Sequence, residues 1–216
     1  MFAKDGYFSI GLTITITVMV FLLTSLFVHF WVAYIIYAVF AILCGLVIYF
    51  FRDPERITPE GSNLIISPAD GKVVLIKDVY EEVYLNEKAT QISIFLSVLD
   101  VHVNRNPVSG YLEYVKYHPG KYLMAWNEQA SDLNERADFG VRHSSGTKLF
   151  FKQITGFLAR RIVYHIQEGD TLVAGERFGI MKFGSRMDII VPFNVDIKVK
   201  EGDRTKAGET VLGVIN

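Results

Sequence analysis

Apolar residues dominate the start of the chain, and charged residues return abruptly after it. Between Asp5 and Arg52 the sequence has 46 consecutive residues without Asp, Glu, Lys or Arg. One helical membrane crossing needs about 20 apolar residues, so a run of this length suits two crossings joined by a tight turn. We predict helical spans at residues 9–28 and 31–51, with the turn near His29.

A shorter pattern inside this run points to a strand. Residues 12–17 read Leu-Thr-Ile-Thr-Ile-Thr, with the period of two that is typical of β-structure. A lone strand in lipid would leave its backbone groups unpaired, so a helix is favoured, with the threonine hydroxyls bonding to carbonyls of their own helix. A re-entrant hairpin that enters the bilayer without crossing it is the alternative.

Basic residues at both ends of the run predict its orientation. Lys4 precedes the run, and Arg52 and Arg56 follow it. A helical hairpin puts all three on one side of the membrane, which the positive-inside rule makes cytoplasmic. We therefore predict a membrane-anchoring segment at 1–56 in the cell membrane and a soluble domain at 57–216 on the cytoplasmic side.

The polar remainder alternates short apolar runs with turn residues, as β-rich domains do. Its 165 residues, from Arg52 onward, are enough for one domain with a sizeable core. We predict two strands within residues 65–74, joined by a turn at 68–71, and further strands at 91–98, 111–117 and 147–154. Residues 122–138 are predicted as a loop or short helix. A helix is predicted at 156–165 and carries the basic pair Arg160 and Arg161.

A short segment is repeated near the C-terminus. Residues 168–176, Glu-Gly-Asp-Thr-Leu-Val-Ala-Gly-Glu, are echoed 33 residues later by Glu-Gly-Asp-Arg-Thr-Lys-Ala-Gly-Glu. Two copies are too few for a solenoid, for which about three are needed. We predict a mainly β (α+β) fold: an N-terminal hydrophobic helical hairpin followed by one β-rich domain with a quasi-symmetric C-terminal hairpin repeat.

Charge and cysteine content narrow the function classes. The formal net charge of −1 gives no argument for nucleic acid binding. The single cysteine, Cys44, lies in the second apolar span and has no intrachain partner for a disulfide. The sequence contains no Cys-rich metal motif, and we expect no metal.

The Gly184-Ser185 bond lies between the two repeats and carries the most specific chemistry. A serine hydroxyl beside the preceding carbonyl can attack it and shift the acyl group from nitrogen to oxygen. Glycine on the acyl side permits that approach because it lacks a Cβ. Elimination from the resulting ester cuts the chain and leaves dehydroalanine, which hydrolyses to a pyruvoyl group, a ketone that can act as an electron sink.

Two further polar residues stand where strands end. Asp70 occupies the Pro68-Ala69-Asp70-Gly71 turn, and His102 follows an apolar strand among Asp, Asn and Arg. A carboxylate held in such a turn can orient a histidine, although an Asp before Gly in a turn is most often structural.

These motifs together resemble those of phosphatidylserine decarboxylase proenzymes, and most closely their short form. The resemblance rests on a hydrophobic N-terminus ending in Phe51-Arg52-Asp53-Pro54, on Pro68-Ala69-Asp70-Gly71, on Asp100-Val101-His102, and on Phe178-Gly179-Ile180-Met181-Lys182-Phe183-Gly184-Ser185. It implies cleavage between Gly184 and Ser185 into a large chain, 1–184, and a small chain, 185–216, which pair as a heterodimer with or without further assembly.

The resemblance also implies the chemistry. Ser185 would become the pyruvoyl cofactor, with Asp70 and His102 supporting it in a triad-like arrangement. The amine of phosphatidylserine would form a Schiff base with the ketone, lose CO2, and regain a proton from His102, which yields phosphatidylethanolamine in phospholipid biosynthesis.

One departure from the family pattern leaves a role open. Longer members carry a second histidine three residues after the first, and this chain has Arg105 there, a poor base. Either His102 serves both cleavage and decarboxylation, or His118 is a second acid or base. Lys182 and Arg186 are the candidates for binding the lipid phosphate.

A carrier module is the competing hypothesis. The Glu-Gly-Asp repeat also resembles biotinyl and lipoyl domains and membrane-fusion adaptors, in which a modified lysine lies at the hairpin between two halves. Lys182 has roughly that position. This hypothesis predicts an uncut chain and leaves Asp70 and His102 without a task, and a purely structural membrane-anchored β scaffold would leave all the polar motifs unexplained.

Overall fold

The computed structural model describes residues 1–121, 133–156, 161–182 and 185–216. The chain forms two compact units, Met1–Pro54 and Glu55–Asn216. The first unit contains a short 3-10 turn, Lys4–Gly6, and two helices, α1 (Tyr7–Phe27) and α2 (Phe30–Phe50). Both helices are long and apolar enough to cross a membrane by length and composition. The predicted helical pair is confirmed, with its break at residues 28 and 29.

The threonines of α1 explain how an alternating sequence forms a helix. Thr13, Thr15 and Thr17 donate their hydroxyls to the carbonyls four residues earlier, at 2.8, 2.9 and 2.8 Å. Each polar side chain is thereby satisfied within its own helix, as a lipid environment requires. The period of two therefore reflects threonine spacing and not a strand.

The described residues of the second unit form fourteen strands in three antiparallel sheets. The strands are β1 (Leu64–Ile66), β2 (Gly71–Glu81), β3 (Glu87–Leu96), β4 (Val103–Arg105), β5 (Gly110–His118), β6 (Arg136–Arg142), β7 (Lys148–Thr155), β8 (Arg161–Tyr164), β9 (Thr171–Leu172), β10 (Arg177–Lys182), β11 (Ser185–Pro192), β12 (Val195–Ile197), β13 (Arg204–Thr205) and β14 (Val211–Ile215). The large sheet has the order β13-β2-β3-β11-β7-β6-β5-β9, and the small sheets have the orders β1-β14-β12 and β4-β10-β8. The mainly β prediction is confirmed.

The main core draws side chains from all three sheets. Ile94, Phe151 and Ile189 come from the large sheet, and Phe178 and Leu212 come from the two small ones. Alternation along β11 sends Met187, Ile189 and Val191 into this core and turns the intervening residues to the opposite face. That alternation decides which side chains can approach Ser185.

Both copies of the Glu-Gly-Asp repeat form the same turn. Gly169 and Gly202 have φ angles of +98° and +95°, a region that favours glycine. The carboxylates of Asp170 and Asp203 accept the backbone N–H three residues earlier, at 2.8 and 3.0 Å. The predicted quasi-symmetry is thus present down to individual hydrogen bonds.

The symmetry extends over the whole second unit. β9 in the first copy pairs with the start of β5, and β13 in the second copy pairs with the start of β2. The turn at 68–71 before β2 has a counterpart 39 residues later, Pro107-Val108-Ser109-Gly110 before β5. The strands of the two copies, β9 and β13, are therefore the two edge strands of the large sheet. β11 and β7 lie at its centre.

The predicted helix at 156–165 is wrong where the structure describes it. Arg161–Tyr164 is strand β8 and pairs antiparallel with β10. Its Ile-Val-Tyr sequence favours a strand, and the neighbouring β10 supplies the hydrogen bonds. Residues 157–160, including Arg160, lie outside the described residues, as do 122–132 of the predicted loop, whose last residues, 136–138, begin β6.

Candidate active site

Ser185 is the first residue of β11, at the centre of the large sheet. It lies in register with Leu96 of β3 and Thr155 of β7, and alternation puts its side chain on the core face with Met187. The side chain is 0% exposed, and its Oγ has no hydrogen-bond partner among the described residues. An unpaired buried hydroxyl costs about 1–3 kcal/mol, so the fold holds this serine in a state that a reaction would relieve.

The predicted scissile bond lies on the connection between two sheets. β10 ends at Lys182 and belongs to a small sheet, and β11 begins at Ser185 in the large one. Gly184, the acyl side of the bond, lies outside the described residues. A cut at this bond would leave the strands on either side of it whole.

His102 lies just before β4, which pairs with β10. Its side chain is fully buried, and its Nδ1 lies 2.9 Å from the carbonyl oxygen of Asp100. Because a carbonyl only accepts, Nδ1 carries the hydrogen, so in the neutral form of the ring the lone pair is on Nε2. The His102 carbonyl accepts the N–H of Met181 at 3.3 Å, which places the histidine beside the strand leading to Gly184.

A tight turn at 97–100 fixes the histidine. Asp100 Oδ2 accepts the N–H and the hydroxyl of Ser97 at 2.8 and 2.7 Å, and its Oδ1 accepts from Arg204 at 3.1 Å. The side chain of Asp100 thus holds the turn while its carbonyl holds the imidazole of His102. The Asp-Val-His motif is one structural unit, in which the aspartate acts on the histidine through its backbone.

Asp70 closes the turn before β2 and forms an ion pair. Its Oδ2 lies 2.7 Å from Arg56, and its Oδ1 accepts the N–H of Ala207 at 2.8 Å. Burial raises the pKa of this carboxyl, and the Ala207 hydrogen bond and the Arg56 charge oppose the rise in part. The described contacts of Asp70 do not include His102, so the triad-like role stays a prediction.

The internal symmetry supplies a comparison for Asp70. Ser109 has the equivalent place before β5, and its Oγ accepts the N–H of Ala174 at 2.9 Å. The turn therefore needs only an acceptor, and a neutral hydroxyl is enough. The negative charge of Asp70 exceeds what the turn requires, which favours a functional role for it.

The sequence is similar to those of known proteins. A family model described as phosphatidylserine decarboxylase matches residues 43–213. The chain is 57% identical over 172 residues to the phosphatidylserine decarboxylase proenzyme of Salinibacter ruber, covering 78% of this chain and 75% of the relative. It is 41% identical over 214 residues to that of Symbiobacterium thermophilum, covering 98% and 94%. The chain belongs to the phosphatidylserine decarboxylase family.

Family membership argues against the carrier hypothesis. The Glu-Gly-Asp repeat that suggested a carrier is explained by the two edge turns of one symmetric decarboxylase-family fold. Lys182 lies at the end of β10 and is in register with Arg161 of β8. The two basic side chains therefore share one face of the small sheet. The phosphate-binding role of Lys182 stays a prediction.

Arg186 is placed differently. It is 2% exposed, and its guanidinium lies 2.6 Å from Asp188 Oδ1 and 2.9 Å from the Oγ of Ser93. Alternation turns it to the face of the large sheet opposite Ser185. These contacts give it a structural task inside the family fold, and its phosphate-binding role stays a prediction.

The structure does not bring His118 to Ser185. His118 of β5 is in register with Arg136 of β6, and the same row continues through Ile154 of β7 to Arg186 of β11. Because Arg186 lies on the face of the sheet opposite Ser185, His118 lies on that face too. Its Nε2 lies 3.0 Å from Asp138 Oδ2. Burial lowers the pKa of His118, and the Asp138 charge opposes the fall. Its role as a second acid or base stays a prediction.

Sequence patterns missed a pair of buried amides beside Ser185. Gln153 of β7 and Asn104 of β4 are both 0% exposed, and Gln153 Nε2 donates to Asn104 Oδ1 at 2.9 Å. Gly179 lies against both this pair and β8, because a Cβ there would lie 2.3 Å from the Val163 carbonyl oxygen and 3.2 Å from Gln153 Nε2. Asn104 is one of the polar neighbours noted beside His102, but nothing in the sequence distinguished Gln153 from other strand residues.

The residues present fit a pyruvoyl group, which the family resemblance implies. Such a group is made from a serine at the start of the small chain, and Ser185 offers a buried hydroxyl without a partner among the described residues. Within the described ranges, no cluster of three or more His, Cys, Asp and Glu residues is arranged to hold a metal ion.

Proposed function

We propose that this chain is a self-cleaving proenzyme that decarboxylates phosphatidylserine to phosphatidylethanolamine and CO2 in phospholipid biosynthesis. The observation that carries the proposal is the buried, unpartnered Ser185 hydroxyl at the head of β11, next to the strand that His102 contacts. The names of the relatives supply the substrate. Cleavage would give a large chain, 1–184, and a small chain, 185–216, paired as a heterodimer.

Maturation needs only atoms of the chain and water. Ser185 Oγ attacks the carbonyl carbon of Gly184 while His102 Nε2 takes the hydroxyl proton. The carbon–nitrogen bond breaks, the freed nitrogen is protonated, and an ester remains. Loss of the Cα proton of residue 185 expels the Gly184 carboxylate and leaves dehydroalanine, which water converts to a pyruvoyl group and ammonia.

Once formed, the pyruvoyl group would supply a ketone for the substrate amine and an electron sink for the pair left on the α-carbon when CO2 departs. The chain's other residues bind the lipid and move the proton. His102 returns a proton to the α-carbon of the substrate, since its ring is fixed by Asp100. Lys182, with Arg161 beside it, binds the lipid phosphate.

The two apolar helices give the enzyme access to a substrate that stays in the bilayer. Held at the membrane by α1 and α2, the decarboxylase domain meets phosphatidylserine at a high local concentration. The distribution of Lys4, Arg52 and Arg56 supports a cytoplasmic position for the domain.

Intact mass spectrometry of the purified full chain tests the cleavage. We expect two chains, one ending at Gly184 and one beginning with a pyruvoyl group at residue 185, and a single uncut chain for Ser185→Ala. The chain offers a matched control, because Gly61-Ser62 is a second Gly-Ser dipeptide. Ser62→Ala should be cleaved like the natural protein.

The activity has its own test. The cleaved protein in phosphatidylserine vesicles should release CO2 and form phosphatidylethanolamine, and Ser185→Ala should do neither. An uncut natural chain, or a cleaved chain that leaves phosphatidylserine unchanged under these conditions, would contradict the proposal.

A further inference from the structure

The hydrogen-bonded amides of Gln153 and Asn104 leave one buried acceptor, the side-chain oxygen of Gln153, without a donor among the described residues. Gln153 Oε1 has no hydrogen-bond partner among the described residues, although the side chain is 0% exposed. Leaving a buried acceptor unpaired costs about 1–3 kcal/mol, so folded proteins keep such groups rarely. Among the described residues this oxygen is therefore open to a ligand that brings its own donor.

The hydrogen bonds fix which way the amides point. Asn104 Nδ2 donates to the carbonyl of Pro68 at 3.4 Å, and a carbonyl can only accept. Asn104 therefore presents Oδ1 to Gln153, whose Nε2 must donate to it at 2.9 Å. The oxygen of Gln153 is consequently the end of a directional chain that starts at a backbone carbonyl.

The strand register places this oxygen near Ser185. Thr155 of β7 lies directly opposite Ser185, and Gln153 is two residues along β7 on the same core face. Diagonal neighbours of this kind are about 7–8 Å apart at Cα, within reach of a long side chain. Arg186 and His118 lie on the other face of the sheet.

We infer that Gln153 Oε1 is the binding site for the amino group of the substrate, and that the site takes a primary amine. This inference rests on the proposed function, in which the amine must meet residue 185. A neutral oxygen can accept an N–H and so direct the nitrogen lone pair toward the carbon it attacks. A carboxylate in its place would favour the protonated, unreactive ammonium form.

Reductive capture of an amine tests this without measuring decarboxylation. Dihexanoyl-phosphatidylethanolamine and sodium cyanoborohydride are added to the cleaved full-length enzyme in detergent. The amine nitrogen bonds to the ketone carbon of residue 185 with loss of water, and cyanoborohydride delivers hydride to the carbon–nitrogen double bond. The added mass on the small chain is measured per cleaved chain, and dihexanoyl-phosphatidylcholine serves as the blank because it lacks an N–H.

Three variants separate binding from packing. Gln153→Met keeps the length of the side chain but removes its acceptor. The amine concentration that gives half-maximal capture should rise about tenfold, which is the effect of one lost hydrogen bond. Asn104→Leu leaves Gln153 in place but removes the hydrogen bond that orients its amide. The amine concentration for half-maximal capture should rise about threefold in this variant. Asn106→Leu is the matched control, because Asn106 is also a buried amide with an unpaired Oδ1 and donates to Val173 instead.

The outcomes decide the inference separately from the function. If Gln153→Met captures the amine at the same concentration as the natural enzyme, the inference is overturned while the proposed function stands. If Gln153→Met is not cleaved, Asn104→Leu decides, and unchanged capture in that variant overturns the inference. A loss of capture in Asn106→Leu equal to that in Gln153→Met also overturns it, because packing would then explain both. A cleaved natural enzyme that captures no amine overturns the proposed function and this inference together.

Discussion

At the scale of single residues, the site combines groups that are held tightly with groups that are left unpaired. The imidazole of His102 is held by the carbonyl of Asp100, and the carboxylate of Asp100 is held by Ser97 and Arg204. Ser185 Oγ and Gln153 Oε1 are buried without a partner among the described residues. The held groups can act as base and support, and the unpaired ones gain a bond only when a reaction or a ligand supplies it.

The symmetry of the fold makes Asp70→Ser an informative substitution. A serine at this position can accept the Ala207 N–H, as Ser109 accepts that of Ala174, so the turn should persist. The charge of Asp70 interacts with that of Asp100, whose carbonyl holds His102, so we expect its loss to make a positive charge on His102 less favourable. We expect self-cleavage to slow by about tenfold, which corresponds to about 1.4 kcal/mol, as measured by the fraction of uncut chain over time.

Ser109→Ala is the control for that experiment. It removes the same hydrogen bond from the other copy, so the free energy of unfolding should fall by about 1 kcal/mol while cleavage stays normal. Normal cleavage in Asp70→Ser would show that the carboxylate is structural and would remove Asp70 from the catalytic group.

At the scale of the strands, the face of the large sheet opposite the core carries a row of charges. Asp188, Lys152, Asp138 and Lys116 lie in register across β11, β7, β6 and β5, so the signs alternate from strand to strand. Opposite charges in this arrangement stabilise neighbouring strands. Arg186 pairs with Asp188 at the β11 end of the row and thereby fixes the strand that begins with Ser185.

Arg186→Met should destabilise the fold because it removes the buried guanidinium that pairs with Asp188. Breaking a buried ion pair by removing one member costs about 3–5 kcal/mol. Arg142→Met is the control, since Arg142 pairs with Glu113 at 2.7 Å but is 52% exposed, and such pairs contribute about 0–1 kcal/mol. Thermal unfolding in detergent measures both. A stable Arg186→Met variant with weakened binding of phosphatidylserine would support the phosphate-binding role instead.

Elements with strong local signals could be predicted from the sequence, and those that depend on partners could not. The helical pair follows from 46 uncharged residues, and the edge turns follow from Glu-Gly-Asp. β8 was predicted as a helix from the helical spacing of residues 156–165, because its β10 partner, which supplies the strand hydrogen bonds, cannot be read from that local pattern. Likewise, Ser185 and His102 belong to recognisable motifs, whereas Gln153 gains its place from the register of β7 against β11.

At the scale of the whole second unit, one half of the fold is continuous and the other is split. β4 to β10 form one half in unbroken order. The small sheet β4-β10-β8 of this half is the counterpart of the small sheet β1-β14-β12 in the other half. The second half takes β1 to β3 from before this segment and β11 to β14 from after it. The predicted cut at Gly184-Ser185 thus lies where the chain leaves the continuous half and returns to the split one.

This architecture predicts that the chains stay together after cleavage. The small chain would supply β11, which is hydrogen-bonded to β3 and β7, and β14, which lies between β1 and β12. Removing it would break the centre of the large sheet and dismantle one small sheet. We expect both chains to elute together in size-exclusion chromatography in detergent, at the volume of uncut Ser185→Ala, and to separate only in denaturant. Because the cut makes the pairing intermolecular, the unfolding midpoint of the cleaved form should rise with protein concentration and that of Ser185→Ala should not. A small chain that elutes alone without denaturant would contradict this prediction.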